Sequence, residues 1–212
     1  MGAGVGSAVG NAGETVGPGG GAPLRLRLLG RLALSRGGEE VALPASRKVR
    51  ALLGYLAMAG APVPRSRLCE LLWDVPNDPR GELRWSLSKL RGLVDAPGCR
   101  RVEATGDTVR LDLSGCAVDA AEVAAALEGG AAMPGLDGAR ALAARFAGDF
   151  LEGLELERCP ALSAWLAAER RRFRDLRAAL LARLAAEAAG AEAQAHLAAW
   201  LALEPFELRA HR

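Results

Sequence analysis

The sequence has few aromatic residues and few of the residues that build metal or catalytic sites. Aromatic side chains make up 4% of the 212 residues, and there are two histidines and four cysteines. The cysteines lie far apart, with no CxxC pair, so the chain has neither the ligand spacing of a zinc site nor the density of a disulfide framework. We therefore expect reduced thiols, no metal and no cofactor.

Several common catalytic and targeting motifs are also missing. Neither lysine, Lys48 or Lys89, follows the glycines of a phosphate-binding loop, and no GxSxG or HExxH occurs. We therefore expect that the chain is not an enzyme. It has no run of 18 apolar residues and no basic, then apolar, leader. From these absences we expect no membrane association and a cytoplasmic location.

The composition favours a mainly helical fold. Half of the residues are hydrophobic, and because aromatics are scarce the core must consist mostly of Leu, Ala and Val, which suit helices better than a sandwich of strands. Charge is divided unevenly. Residues 24–113 hold 16 basic and 10 acidic side chains, whereas residues 114–212 hold 11 and 14. This asymmetry indicates a first half that faces nucleic acid and a second half with another use.

The first 113 residues divide into a tail and a folded unit. Residues 1–23 contain nine glycines and one charge, so we expect a disordered Gly-rich tail. From Leu24 the pattern predicts two strands, a Gly37-Gly38 turn and a return strand. Three helices follow, which start after Ser46, at Pro64 and at Asp78-Pro79.

A basic helix and a hairpin end this unit. The helix spans Arg80 to Val94, with leucines on one stripe and basic residues opposite. The hairpin spans Arg100 to Leu113 and turns at Gly106-Asp107. A basic helix followed by a short hairpin is typical of a winged helix-turn-helix domain, here residues 24–113, in which the helix enters the DNA major groove and the hairpin lies on the backbone.

Residues 114–212 are predicted to be entirely helical. Asp119 is expected to cap a first helix, and residues 139–156 to form a second that breaks near Gly148 to Gly153. Pro160 opens a long helix to about residue 189, and another helix follows Gly190. Paired helices with alanine contacts are typical of helical hairpins of the tetratricopeptide type. The expected fold class is thus mainly α with a small antiparallel β component: a winged helix followed by an all-α, TPR-like domain.

These segments resemble a known family. RALLGYLA, LCELLW, LRWSLSKLRGLV and GDFLEGLEL resemble bacterial regulators of the antibiotic-regulatory-protein type, in which a winged helix precedes a bacterial transcriptional activator domain. The resemblance covers about Leu24 to Arg212 and implies an activator that binds repeated promoter sites, as a homodimer or in tandem copies, and contacts RNA polymerase. It also implies that the second domain, residues 114–212, is shortened at its end, because the family's domain is longer.

The candidate DNA-binding residues come from the helix, the hairpin and the first turn of the first helix. Arg84, Ser88 and Lys89 are candidates for reading base edges, because Arg and Lys can donate to guanine and Ser can bond to several bases. Side chains at the helix start, its shoulder and the hairpin are candidates for the backbone. The full set is Arg47, Lys48, Arg80, Arg84, Trp85, Ser88, Lys89, Arg91, Thr105, Thr108 and Arg110.

Three of these interpretations have alternatives. Trp85 is expected to pack against the hairpin or an adjacent domain, with contact to a thymine methyl or a sugar as the alternative. Arg47 and Lys48 either contact phosphate or form a solvated helix start. The basic run 170–174 is expected to be a salt-bridged surface rather than a nucleic-acid site, because Glu169 and Asp175 flank it. For the whole chain, the alternative function is a helical-repeat adaptor whose winged helix binds protein.

Overall fold

The computed structural model describes residues 22–73, 78–130 and 134–203, and within these it is mainly helical with two small β-sheets. The predicted tail lies outside the described residues except for Ala22 and Pro23, as does the segment after Leu203. In chain order the elements are β1 (Leu24–Arg27), β2 (Ala33–Arg36), β3 (Glu39–Glu40), α1 (Arg47–Met58), β4 (Val63–Pro64), α2 (Arg65–Leu72), α3 (Pro79–Val94), β5 (Val102–Thr105), β6 (Thr108–Leu111), β7 (Ala117–Val118), α4 (Asp119–Glu128), α5 (Leu136–Ala143), α6 (Pro160–Glu187) and α7 (Gly190–Leu203).

The first sheet has the order β3-β2-β1-β7. As the sequence predicts, β1, β2 and β3 pair antiparallel, and the turn between β2 and β3 uses Gly37 and Gly38, both at positive φ. The pairing of β7 parallel to β1 was not predicted. A strand of two residues carries too little pattern to be recognised, although it gives β1 a partner on each side.

The helices α1, α2 and α3 pack against one another and against a second sheet, β4-β6-β5. Their starts are where the sequence predicts them: the Ser46 hydroxyl accepts from the Val49 amide at 3.4 Å, and Pro64 precedes α2. The hairpin of β5 and β6 turns at Gly106, which has a φ of +57°. The strand β4 was not predicted from the sequence. It lies between α1 and α2 in the chain and pairs with β6.

The prediction of a second helix through residues 139–156 is wrong in its extent. The helix α5 ends at Ala143, and no helix is described from there to α6. The backbone bonds that would continue it go to the end of β1 instead. Ala147 donates to the Leu29 carbonyl, Gly30 to that of Asp149, and Leu151 to that of Leu28, at 2.8 to 3.0 Å. A loop bonded to a strand replaces the predicted helix because its amides find their acceptors there.

Asp119 also has a different role from the expected helix cap. It is the first residue of α4, and its buried carboxylate accepts from the amides of Leu28 at 2.7 Å, Leu29 at 3.0 Å and Ala120 at 2.7 Å. Burial raises the pKa of the Asp119 carboxyl, and the three amide bonds act in the opposite direction. Asp119 therefore connects the end of β1 to the start of α4, the first helix of residues 114–212, which we call the helical half.

The two halves share one hydrophobic core. Buried side chains of β1, α1, α2 and α3 form a continuous cluster with those of α4 and α6. Aromatic rings meet at this junction: Trp165 of α6 lies edge-on to Tyr55 of α1 at 5.0 Å and to Phe150 at 5.7 Å, and Phe150 stacks on Phe173 at 5.2 Å. The orientation of α3 relative to α6 is thus set by packing, while the predicted division at residue 113 stays a prediction.

Candidate nucleic-acid interface

The helix α3 is fixed at both ends and along one side. At its start the Asp78 carboxylate accepts from the Gly81 amide at 2.8 Å, and Pro79 fills the first position. At its end the Asp95 carboxylate accepts from the amides of Arg101 and Val102, at 2.9 and 3.1 Å, and so ties the helix to β5. Its inner side is buried through the predicted stripe of Leu83, Leu87, Leu90 and Val94.

The opposite side of α3 is exposed and basic. Arg84, Ser88 and Lys89 all lie open to solvent there, as does Arg80 in the first turn, while Arg91 is half-buried. The three predicted base-reading positions therefore share one face with Trp85, as the helical spacing indicated. Because the inner side and both ends are held, this face presents its side chains from a rigid support.

Trp85 lies on the surface of the described chain and not in its core. Half of its surface is exposed, in contrast with Trp73, which is 6% exposed in the core. The Lys89 ammonium lies 5.4 Å from the centre of the Trp85 ring, a cation–π distance. The expectation of packing is wrong because position 85 lies on the outward side of α3, one turn before Lys89.

Among the described residues Arg84 has one ion pair, and it is weak. Its guanidinium lies 3.8 Å from the Asp78 carboxylate, and both side chains are largely exposed, at 71% and 65%. A pair so open to water is worth at most about 1 kcal/mol. The Arg84 guanidinium can therefore leave Asp78 for a stronger acceptor at little cost.

The hairpin carries three of the predicted residues, two of them at its turn. Thr105 and Thr108 flank the turn, where the Thr108 hydroxyl donates to the Thr105 carbonyl at 3.0 Å. The exposed Arg110 on β6 lies 4.0 Å from the Glu103 carboxylate, again a weak surface pair. The turn is also held to α2, since the Arg65 amide donates to the Asp107 carbonyl at 2.8 Å.

Arg47 and Lys48 contact other parts of the chain. The Arg47 guanidinium donates to the Glu155 carbonyl at 3.3 Å, and the Lys48 ammonium lies 5.2 Å from the centre of the Trp73 ring. These contacts connect α1 to the loop after α5 and to the end of α2. The structure therefore does not bring these two side chains onto the exposed face of α3.

The arginine run of α6 is a salt-bridged surface, as the sequence predicts. Arg172 pairs with Glu128 and with Glu169, and its bond to Glu128 lowers the pKa of the Glu128 carboxyl. Arg170 reaches three loop carbonyls, and Arg174 lies 3.2 Å from the Asp149 carboxylate. Glu128, Glu155 and Asp149, which are distant in sequence, supply partners that the local pattern could not show.

The prediction from the sequence missed two glycines on the exposed face of α3. Gly81 lies four residues before Trp85, and Gly92 lies four residues after Ser88. Together with Trp85 and Ser88 they form one line along the helix. A side-chain carbon at Gly92 would meet no other atom within 4 Å. The spacing was visible in the sequence, but glycine inside a helix carries no charge or hydrophobic signal.

Among the described residues, no cluster of three or more His, Cys, Asp or Glu side chains could hold a metal ion. Nor does any helix in that part of the chain combine the length and the apolar character needed to cross a membrane. Neither finding adds a site to the exposed face of α3.

Comparison with known proteins gives one informative likeness. A solved structure of Mycobacterium tuberculosis EmbR in complex with a low affinity phosphopeptide superimposes with a TM-score of 0.65 at 23% identity. The two chains share a fold. The likeness covers 89% of this chain and 52% of the EmbR chain, so this chain spans about half of that protein. No family model matches the sequence, and no curated protein matches it.

Proposed function

We propose that this chain is a sequence-specific regulator of transcription that binds double-stranded DNA. In this proposal α1, α2 and α3 with the second sheet form a winged helix, α3 enters the major groove, and the hairpin of β5 and β6 lies on the adjoining backbone. The observation that carries the proposal is the exposed basic face of α3, held rigidly beside that hairpin.

The dimensions and charge of α3 fit this role. A helix with its side chains is about 10–12 Å across, and the major groove is about 12 Å wide. The exposed face offers Arg84 and Lys89 with Ser88 between them, and the ion pair that holds Arg84 is weak. Arg and Lys can donate to acceptors on the base edges, so these two side chains would select bases, and Ser88 would add a less selective bond.

Contacts to phosphate would come from the periphery. Arg80 lies at the exposed start of α3, and Thr105, Thr108 and Arg110 lie at or near the hairpin turn. Such contacts raise affinity for every sequence alike and make it fall with salt. Arg91 is half-buried on the shoulder and would serve as a further phosphate contact.

We further propose that the chain activates transcription through the helical half. The resemblance to regulators of the antibiotic-regulatory-protein type supports binding to repeated promoter sites and contact with RNA polymerase. The shared core and the Asp119 bonds support a fixed angle between α3 and the helical half, which a surface needs in order to meet polymerase from a defined promoter position. We propose that this half docks protein as a TPR-like helical hairpin, in the cytoplasm.

One observation favours the alternative of a protein-binding adaptor. Trp85 is the most exposed large hydrophobic side chain in the described chain, and tryptophan is enriched at the centres of protein–protein interfaces. The surrounding Arg84, Lys89 and Arg80 argue against it, because interface cores are poor in charge. In DNA the phosphates and base acceptors can pair with the charges, and a base can contact the ring.

The experiment is selection from a random DNA pool with the full chain, followed by affinity measurements across a range of salt concentrations. The variant Arg84→Ala with Lys89→Ala should lose about 1–3 kcal/mol per good base contact at the selected site. Its matched control is Arg31→Ala with Arg171→Ala, which removes two exposed arginines outside α3. Selection of no sequence, or equal loss in both variants, would refute the proposal.

A second measurement separates phosphate contacts from base contacts. The variants Arg80→Ala and Arg110→Ala should weaken the selected site and random DNA alike, and each should reduce the salt slope by about one unit. The Arg84→Ala variant should instead reduce the ratio of specific to random binding. If Arg80→Ala changed that ratio and Arg84→Ala did not, the proposed roles would be reversed.

A further inference from the structure

We propose that Trp85 and Lys89 together recognise a thymine, with the indole against its 5-methyl group and the ammonium at its O4 atom. This inference rests on the proposed DNA-binding function and deepens it by naming the base. Thymine is the base that presents an acceptor and a methyl group side by side in the major groove. The exposed face of α3 presents the matching pair, a ring and a cation 5.4 Å apart.

The shape of α3 around Trp85 supports a close approach to the base edges. The line of Gly81, Trp85, Ser88 and Gly92 has small residues on both sides of the indole. Space at Gly92 is open, so no described residue of this chain would separate the helix backbone from the groove there. Because the other three residues of this line are glycine or serine, the indole is the longest side chain on it.

The contact between Trp85 and Lys89 fixes the two partners relative to each other. An ammonium held over a ring by the cation–π attraction loses less freedom on binding than one that is unattached. The pairing also explains why the ring is tolerated on the surface. Half of the indole is exposed in the free chain, and an apolar contact with a methyl group would remove part of that surface from water.

The surroundings favour DNA over protein as the partner of Trp85. Arg84 and Lys89 border the ring on the same face, and Arg80 lies in the turn before it. The Lys89 ammonium at the ring and Arg84 on the same face complement a surface that carries phosphates on both sides of an apolar group, which is the composition of a major groove with a thymine.

The test uses the full chain and the DNA sequence that it selects from a random pool. Each thymine of that site is replaced singly by deoxyuridine, which lacks only the methyl group. One replacement should weaken binding about fourfold, the value of one buried methyl group. The variant Trp85→Ala should bind the thymine site more weakly than the unaltered chain and should no longer distinguish thymine from deoxyuridine at that position.

The matched control is Leu197→Ala, because Leu197 is the other exposed large hydrophobic side chain of the described chain and lies on α7. It should keep the full sensitivity to deoxyuridine. The variant Trp85→Phe, which keeps a ring, should retain part of that sensitivity. These results would support the inference.

Two results would overturn it while leaving DNA binding in place. One is a selected site in which no thymine is sensitive to deoxyuridine. The other is a Trp85→Ala variant with the same sensitivity as the unaltered chain, which would leave the indole to a protein partner. Failure to select any DNA sequence would refute both this inference and the proposed function.

Discussion

The carboxylate of Asp119 should be the most sensitive single polar group of the fold. We consider two substitutions, Asp119→Asn and Asp119→Ala. The carboxylate has two amide partners on β1's end and one on its own helix: Oδ1 accepts from Leu28 and Ala120, and Oδ2 accepts from Leu29. Leu28 and Leu29 are both fully buried, so water cannot replace the bonds that are lost.

The magnitude follows from counting what each variant leaves unpaired. An asparagine keeps one acceptor, so its amino group must face a backbone N–H, either that of Leu29 or those of Leu28 and Ala120. A buried donor without a partner costs about 1–3 kcal/mol, and we expect a loss of about 2 kcal/mol for Asp119→Asn. Alanine leaves the amides of Leu28, Leu29 and Ala120 unpaired, and we expect about 6 kcal/mol, at about 2 kcal/mol for each.

The assay is urea unfolding of the full chain followed by tryptophan fluorescence. The matched control is Asp137→Asn in the first turn of α5, where the carboxylate is 97% exposed and pairs with Arg140 at 2.6 Å. An exposed pair of this kind should change stability by less than about 1 kcal/mol. If Asp119→Asn cost no more than Asp137→Asn, the argument that Asp119 fastens the two halves would be wrong.

The pH dependence of the same comparison has a definite sign. Burial raises the pKa of Asp119 in the folded chain, so between the unfolded value and the folded value the folded state holds a proton that the unfolded state has released. The stability that Asp119 contributes is therefore largest below its unfolded pKa, at about pH 4, and decreases as the pH rises through the folded pKa. The difference in stability between the unaltered chain and Asp119→Asn should therefore become smaller as the pH rises. A difference that becomes larger with pH would contradict this prediction.

Two further predictions concern stability. Gly92→Ala should stabilise the chain by about 0.5–1 kcal/mol, because the position is helical, exposed and open; Gly81→Ala should destabilise it, because the added carbon would collide with the Asp78 carboxylate that caps the helix. If the urea midpoints of both variants moved in the same direction, these two predictions would be contradicted. Arg170→Lys should cost about 1–3 kcal/mol, since a single ammonium cannot reach the three loop carbonyls that the guanidinium bonds, whereas the exposed Arg171→Lys should be neutral, and equal midpoints would refute the contrast.

The parts of the fold that the sequence predicts well are those with local causes. The helix α3 follows from a cap at Asp78, a leucine stripe and an end at Asp95, and all of these signals lie within the segment itself. The hairpin follows from alternation around Gly106. The exposed face of α3 follows in turn, because the buried stripe of a helix determines which residues point outward.

The parts that the sequence does not predict depend on partners far along the chain. Residues 144–159 contain good helix formers, but the amides of Ala147, Leu151 and Glu152 bond to carbonyls just after β1, more than a hundred residues earlier. The residues next to Asp119 predict a helix cap, because its partners, the amides of Leu28 and Leu29, lie far earlier in the chain. Trp85 was expected to pack against the hairpin or an adjacent domain, but half of its surface is exposed, because position 85 lies on the outward side of α3.

The parallel pairing of β1 with β7 has a consequence for how the chain folds during synthesis. Arg25 pairs with Ala117 and Leu26 with Val118, and the loop that bonds Leu28 and Leu29 lies later still. At about 5–20 residues per second, the ribosome needs roughly 5–25 seconds to make these partners after it has made β1.

During that interval one edge of an apolar strand lacks its native neighbour, which is the condition under which nascent chains pair with one another. The exposed side chains of β1 are Arg25 and Arg27, and Arg31 follows in the next turn. Charged residues on an edge disfavour pairing with a second copy, so the alternation that builds the sheet also protects the nascent chain while its partners are being made.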